Sequence, residues 1–240
     1  MNMIENQLNK NYWEQVPADK IIGRNAFPGD ELFGLLNNGD SILDLGCGTG
    51  ELSEYLSEKD YLVTGIDINE EAININQSKK SRVDYILCDI TNPLPFVDHT
   101  CNAITISFVL VNIVPLSMRE ELIKELSRIL KPNGIIWINE GLISDEYSKR
   151  YELCKPFLHD DHDFFVFKEN TQSSGIQTTE ELEKAIADEK IQRVAHHFTV
   201  KELTQLFSSF KLIYKNQSVT FSPNTKSAIK MITAAFKLKP

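Results

Sequence analysis

The 240-residue chain has few cysteines, and they do not pair. Cys47, Cys88, Cys101 and Cys154 are scattered, and no two of them stand in a C-x-x-C spacing. Close cysteine pairs are typical of disulfide frameworks, zinc ribbons and redox motifs. We therefore expect four reduced thiols, as in a cytoplasmic protein.

Long apolar runs are also absent. The longest stretch, from Ile104 to Val114, is interrupted by Ser107 and Asn112 and falls short of the roughly 18 residues that cross a membrane. The first ten residues are polar and contain no apolar core of a signal peptide. The sequence thus predicts a cytoplasmic location and no membrane partner.

Basic residues are outnumbered. The chain has 25 Lys and Arg against 34 Asp and Glu, which gives a formal net charge of −9. Affinity for nucleic acid depends mainly on clustered Lys and Arg, so we expect no nucleic-acid partner. The hydrophobic content of 42% is enough for a full core, and the length predicts one domain with an elaboration.

One stretch carries a ligand-binding pattern. Residues 41–50 read S-I-L-D-L-G-C-G-T-G, an apolar strand that ends in glycines before a helical segment. Glycines let the backbone approach a ligand closely, and a helix start offers free N–H groups. Asp44 stands before this loop, and Asp67 closes the next strand. An acid about 20 residues after a glycine loop is where a ribose diol is held.

With these residues the chain resembles the class I S-adenosylmethionine-dependent methyltransferases in their small, single-domain, small-molecule form, over about residues 41–140. The resemblance implies S-adenosyl-L-methionine as cofactor. It implies that Asp44 and the loop hold the methionine part, that Asp67 takes the ribose hydroxyls and that Ile68 lies on the adenine. The predicted loop contacts are Gly46, Cys47 and Gly48.

The resemblance also assigns residues outside the loop. Asp89 is placed at the adenine amino group and the Ile90 backbone at a ring nitrogen, while Phe108 contacts the methionine end. The alternative for Asp89 is a strand-end acid that caps the next turn. In the family a leading segment folds over the cofactor, so Tyr12 could line the methionine end, although simple packing onto the core is an equal alternative.

Strands alternate with helices up to Glu140, and this pattern predicts an α/β fold with a parallel sheet. By resemblance, two closing strands at residues 211–220 and 226–236 complete a Rossmann-like, seven-stranded, mostly parallel sheet with an antiparallel last strand and helices on both faces. We expect one methyltransferase domain over residues 1–240. Its parts are an N-terminal helical cover (1–40), a cofactor-binding core (41–140), a substrate-cap insertion (141–195), and a last helix with the closing strands (196–240).

Residues 141–195, called the insertion below, show two helical patterns and a loop that includes H-D-D-H-D at residues 159–163. Long loops are more often functional than idle, so the insertion is predicted to close over the acceptor. The predicted catalytic residues are His159, His162 and Glu140, since His or a carboxylate suits a general base at neutral pH. A metal site and a solvated acidic loop are alternatives for the cluster, and no metal is predicted.

The sequence therefore predicts methyl transfer to a small metabolite by a monomer or homodimer. Nitrogen is the favoured acceptor because Glu140 and the acidic insertion could hold a cation. The Asn/Asp-Pro-Pro-aromatic motif of the family's base- and glutamine-modifying enzymes is absent after the fourth strand, which reads S-F-V-L-V-N. Transfer to oxygen, a cofactor-binding regulatory protein without catalysis, and a protein or RNA methyltransferase remain alternatives.

Overall fold

The computed structural model describes residues 2–21, 27–158, 160–168, 176–221 and 228–239, with side chains described from residue 5 onward except at residue 221. In these ranges no helix is long and apolar enough to cross a membrane.

A seven-stranded sheet forms the centre of the molecule, in the order β3-β2-β1-β4-β5-β9-β8. Strands β1 to β5 pair in parallel, and β9 runs antiparallel between β5 and β8. This arrangement confirms the predicted fold class. The strands are β1 (Ser41–Leu45), β2 (Leu62–Asp67), β3 (Asp84–Leu87), β4 (Cys101–Ser107), β5 (Leu130–Gly141), β8 (Phe210–Phe221) and β9 (Ala228–Leu238).

Helices connect these strands, and their ends follow local sequence signals. Asn69 caps the helix after β2 by accepting a hydrogen bond from the Ala72 N–H. Thr199 and Glu202 form a capping box at the start of the helix before β8, which satisfies two otherwise unpaired N–H groups. The helices around the sheet are α2 (Asp30–Phe33), α3 (Glu51–Glu58), α4 (Glu70–Ser78), α5 (Leu116–Ile129) and α8 (Val200–Leu206).

The insertion has a small sheet of its own. It contains a 3-10 turn (Asp145–Tyr147), α6 (Ser148–Cys154), β6 (Asp163–Phe167), α7 (Thr179–Ala187) and β7 (Ile191–His196). Strands β6 and β7 pair antiparallel, whereas the sequence predicted only helices and a loop there. The insertion has a second hydrophobic core, in which Tyr151, Phe164 and Val194 pack with Met231 of β9. The insertion is therefore packed against β9 of the seven-stranded sheet.

Helix α1 (Asn2–Gln15) lies between the insertion and the carboxyl ends of the strands. The side-chain amide of Asn9 hydrogen-bonds to the backbone of β7 in the way that the peptide group of a paired strand does. Its Oδ1 accepts a hydrogen bond from the Val194 N–H at 2.7 Å, and its Nδ2 donates to the Val194 carbonyl at 2.9 Å. These bonds tie α1 to the insertion. The helix also lies next to the carboxyl ends of the strands of the main sheet, where ligands of open α/β folds bind.

Candidate active site

A cavity opens at the carboxyl ends of β1, β2, β3 and β4, under α1. Nine of the ten residues predicted to bind cofactor line it, and Tyr12 does not. The nine are Asp44, Gly46, Cys47, Gly48, Asp67, Ile68, Asp89, Ile90 and Phe108. The fold thus brings nine of the predicted residues together in one cavity, at the ends of four strands.

The glycine loop forms the floor of the cavity. Gly46 and Gly48 have φ angles of +70° and +50°, a region that side-chain-bearing residues rarely adopt. A Cβ on Gly46 would collide with Val109, and one on Gly48 would lie 2.9 Å from Ile21 Cγ2. Glycine is therefore required at both positions by conformation and by crowding.

Asp67 is hydrogen-bonded to the same loop. Its Oδ2 accepts from the Gly48 N–H at 2.8 Å, and its Oδ1 accepts from the Asn69 N–H at 2.9 Å. Burial raises the pKa of this carboxyl, and the backbone N–H groups partly offset that effect. A carboxylate has about four acceptor positions, so each oxygen keeps capacity for a ligand hydroxyl.

Asp44 lies deeper and braces the loop from behind. Its two oxygens accept hydrogen bonds from Ser53 Oγ at 2.6 Å and from Thr105 Oγ1 at 2.9 Å. Burial raises its pKa to about 6, although these hydroxyls favour the charged form. Asp44 therefore joins β1, α3 and β4 below the cavity and also contributes to its lining.

Asp89 has two sets of partners. Its Oδ1 accepts from the Thr91 N–H and hydroxyl, which caps the turn after β3, and its Oδ2 pairs with Lys10 Nζ at 2.9 Å. Burial alone would raise the pKa of Asp89, but the hydrogen bonds from Thr91 and Lys10 outweigh it and hold the pKa below its ordinary value. The carboxylate both caps a turn and ties α1 across the cavity.

Helix α1 contributes residues that the sequence pattern missed. Asn6, Asn9, Lys10 and Trp13 line the cavity, and their spacing of three, four and seven residues is that of one helical face. This periodicity is the signal that could have found them. Tyr12 lies on the adjoining face, where its ring centre is 5.8 Å from the Arg193 guanidinium carbon. Trp13 Nε1 is buried and has no hydrogen-bond partner in the described structure.

Glu140 is fully buried below the turn that follows β4. Its carboxylate accepts hydrogen bonds from the N–H groups of Val109, Leu110 and Val111, at 2.8 to 3.3 Å. Desolvation raises its pKa to about 8, against the opposing effect of these N–H groups. Glu140 does not line the cavity, so its placement gives no support to a catalytic role and indicates a residue that shapes the turn.

Of the two predicted histidines, only His162 can be located, and it does not line the cavity. His159 lies outside the described residues. His162 lines an open groove between α5 and α8, where its Nδ1 is 3.6 Å from Asp160 and 3.9 Å from Glu202. In the described ranges no side chain of the insertion lines the cavity, and α1 is the element that covers it.

His196 connects the insertion to α8. Its Nδ1 lies 2.6 Å from Asp163, its Nε2 lies 2.7 Å from Glu202, and the Arg119 guanidinium is 3.6 Å from Glu202. Burial would lower the pKa of His196, but the two carboxylates outweigh it and raise that pKa. His196 therefore links Asp163 of β6 to Glu202 of α8.

The same cluster contains a group of metal-type ligands. One atom each from Asp160, Asp163 and His196 lies within 4.8 Å of the others. Both nitrogens of His196 already contact carboxylates, and Arg119 brings a positive charge beside them. This charge pairing indicates a structural junction.

The chain is similar in sequence and in fold to several known methyltransferases. The family model described as "Methyltransferase domain" matches residues 42–134. A SAM-dependent methyltransferase from Methanosarcina mazei superposes with a TM-score of 0.75 and 25% identity, over 88% of this chain and 98% of that one.

Curated relatives match over shorter spans. The demethylmenaquinone methyltransferase of Paenarthrobacter aurescens is 34% identical over 102 residues, which is 42% of this chain and 39% of that protein. The enzyme of the same name from Tropheryma whipplei is 29% identical over 157 residues, or 65% and 56% of the two chains. The chain therefore spans about half the length of the curated relatives it matches, or less.

The sheet order, the glycine loop with Asp67, the matching family model and the structural likeness over most of the chain agree with one another. Residues 42–134 therefore match the methyltransferase-domain family, and the chain has the fold of a known S-adenosylmethionine-dependent methyltransferase.

Proposed function

We propose that the protein transfers the methyl group of S-adenosylmethionine to a small metabolite. The observation that carries this proposal is the 2.8 Å hydrogen bond between the Gly48 N–H and Asp67 Oδ2. It joins the glycine loop to the acid of the second strand on one wall of the cavity. When bound, the cofactor supplies a methyl group on a sulfonium, which an aligned nucleophile accepts by in-line displacement.

The residues present fit this cofactor. Asp67 has free acceptor positions for the two ribose hydroxyls, and Ile68 and Ile90 offer apolar surface to an adenine ring. Asp89, our candidate for the adenine amino group, lines the same cavity and shares its Oδ2 with Lys10. The buried Trp13 Nε1 is a donor without a partner in the described structure, which a ligand oxygen would satisfy.

The protein's main work in this reaction is to orient the reactants and to exclude water. Orientation of two reacting groups can supply roughly 7–11 kcal/mol of the barrier. Helix α1 covers the cavity and is held by Asn9 on one side and by Lys10 on the other. Asn69 Nδ2 also donates hydrogen bonds to the carbonyls of Trp13 and Val16, which fixes the end of the cover.

The acceptor should be an uncharged molecule. The described residues that line the cavity between Ser107 and Ile113 form one wall of it and present hydroxyl, amide and apolar groups and no charged side chain. The charged residues of the lining lie on other elements; they are Lys10, Asp44, Glu51, Asp67 and Asp89. The cation-holding role expected of Glu140 and the insertion has no support in their placement away from the cavity. A nitrogen that is neutral before transfer is our first candidate, since its lone pair is exposed without a base.

Carbon in a quinone-type ring is the second candidate. The apolar side chains of Phe108, Val109 and Ile113 on this wall favour a flat, uncharged ring. Two curated relatives carry the name demethylmenaquinone methyltransferase. In this case the electron-rich carbon of the reduced ring would form a bond to the methyl group as the methyl–sulfur bond breaks, and that carbon would then lose its proton to water. The wall's part is to orient the ring.

The test is a labelled-methyl transfer assay with separate panels of ring nitrogens, amines, phenols, carboxylates and quinols. Transfer to uncharged nitrogen supports the first candidate, transfer to quinol carbon the second, and transfer only to oxygen contradicts both. Binding of cofactor without turnover on any metabolite extract would indicate a regulatory protein. Label found in protein or RNA of a cell lysate would indicate a macromolecular substrate.

A further inference from the structure

Asn112 joins three parts of the chain at the wall of the cavity. Its carbonyl accepts a hydrogen bond from Asn9 Nδ2 of α1 at 2.6 Å. Its side-chain Oδ1 accepts from Arg193 Nη1 of β7 at 2.7 Å. Its Nδ2 donates to the Phe108 carbonyl at 2.7 Å. The cover, the insertion and the turn after β4 therefore meet on this one residue.

Phe108 has an unusual backbone. Its φ angle is +56°, in the left-handed region that is costly for a residue with a bulky side chain. Two hydrogen bonds hold it there, because its N–H donates to the Asn139 carbonyl at 2.9 Å and its carbonyl accepts from Asn112. Phe108 lines the cavity. Strained residues persist only where their surroundings fix them, and they cluster at functional sites.

We propose that Asn112 is a positioning residue for methyl transfer, which holds Phe108 in its left-handed conformation and takes its own orientation from Arg193. This inference rests on the proposed function. The side chain of Asn112 is a short amide, and each of its two ends has a defined partner. Rotation or loss of the amide would release the Phe108 carbonyl.

Arg193 links the wall to the insertion without lining the cavity itself. Its guanidinium carbon lies 5.8 and 5.4 Å from the ring centres of Tyr12 and Trp13, and its neighbour Val194 is bound by Asn9. The insertion and α1 are therefore bound to each other, and both are hydrogen-bonded to Asn112. The insertion would then act on the reaction through the wall, since none of its described side chains lines the cavity.

The experiment is a double-mutant cycle between Asn112→Leu and Phe108→Gly. Each variant is titrated with S-adenosylhomocysteine by calorimetry, and each is unfolded with denaturant in the absence of ligand. Glycine adopts the left-handed region without support. Asn112→Leu should therefore weaken affinity roughly tenfold in the wild-type background, the equivalent of the cost of one left-handed residue, and less than threefold in the Phe108→Gly background.

A second arm tests the link to the insertion. Arg193→Gln should weaken affinity three- to tenfold in the wild-type background and have no further effect on Asn112→Leu. Arg150→Gln is the matched control, because this arginine of the insertion lies over the Tyr147 ring. It should leave affinity unchanged. If Asn112→Leu does not fold, Arg193→Gln is measured in the wild-type and Phe108→Gly backgrounds instead; a smaller loss of affinity in the Phe108→Gly background supports the positioning role, and an equal loss overturns it.

The outcomes separate the two proposals. An equal loss from Asn112→Leu in both backgrounds would mean direct ligand contact and would overturn the positioning role, as would no loss in either. Additive effects of Arg193→Gln and Asn112→Leu would overturn the link to the insertion. If the wild type does not bind S-adenosylhomocysteine, the proposed function fails, and coupling in the ligand-free unfolding cycle still decides whether Asn112 holds Phe108.

Discussion

At the scale of single residues, glycines with similar backbones differ in what surrounds them. Gly48 and Gly39 have φ angles of +50° and +82°, but a Cβ at Gly48 would crowd Ile21 whereas one at Gly39 would meet nothing within 4 Å. Gly48→Ala and Gly39→Ala should both lose about 1–2 kcal/mol of unfolding free energy from left-handed strain. Only Gly48→Ala should also weaken cofactor affinity. Parallel denaturant melts and calorimetric titrations measure both effects, and equal affinities would refute the assigned role of Gly48.

The buried carboxyl of Glu140 should make the free energy of unfolding depend on pH. Its pKa is raised to about 8 in the folded protein, above the value of about 4.3 expected when unfolded. The folded state then holds an extra proton between these values, so this group makes stability fall as pH rises from about 4.5 to 8. The slope is at most about 1.4 kcal/mol per pH unit. Glu140→Gln should flatten this decline in melts at several pH values while cofactor affinity stays within threefold. An unchanged slope would contradict the buried carboxylate described here.

At the scale of elements, α1 is the cover of the cavity, and its ion pair with the sheet should control ligand exchange. Lys10 Nζ lies 2.9 Å from Asp89 Oδ2, and the two side chains are 36% and 14% exposed. Lys10→Met should speed dissociation of S-adenosylhomocysteine roughly two- to fivefold, as expected for a pair worth up to about 1 kcal/mol. It should also remove the salt dependence of that rate.

The matched control for this prediction is Lys20→Met, since Lys20 belongs to the same leading segment and pairs only with exposed Asp19 in the described structure. Stopped-flow displacement at low and high salt measures the rates. If Lys10→Met and Lys20→Met release the ligand alike, the ion pair does not hold the cover.

At the scale of the whole molecule, the sequence predicted what local pattern determines. The strands up to β5 and the residues at their carboxyl ends follow from periodicity and from the geometry of parallel sheets. The pairing of β6 with β7 joins segments more than twenty residues apart, and no local signal specifies it. The role of Glu140 depends on a turn that folds back over its carboxylate. Tyr12 is excluded from the cavity lining because the orientation of α1 about its axis turns the neighbouring face of the helix to the cavity. Tertiary contacts decided each of these cases.

The central claim is that Asp67 and the glycine loop bind S-adenosylmethionine, and calorimetric titration of the wild type beside Asp67→Ala tests it most directly. The matched control is Asp98→Ala, whose carboxylate is 65% exposed and pairs with Arg128 away from the cavity. Two charge-assisted hydrogen bonds to the ribose, each worth about 1.5–3 kcal/mol, predict a loss of roughly a hundredfold or more in affinity for Asp67→Ala and none for Asp98→Ala. Equal affinity of Asp67→Ala and the wild type, or no binding by the wild type, would contradict the account.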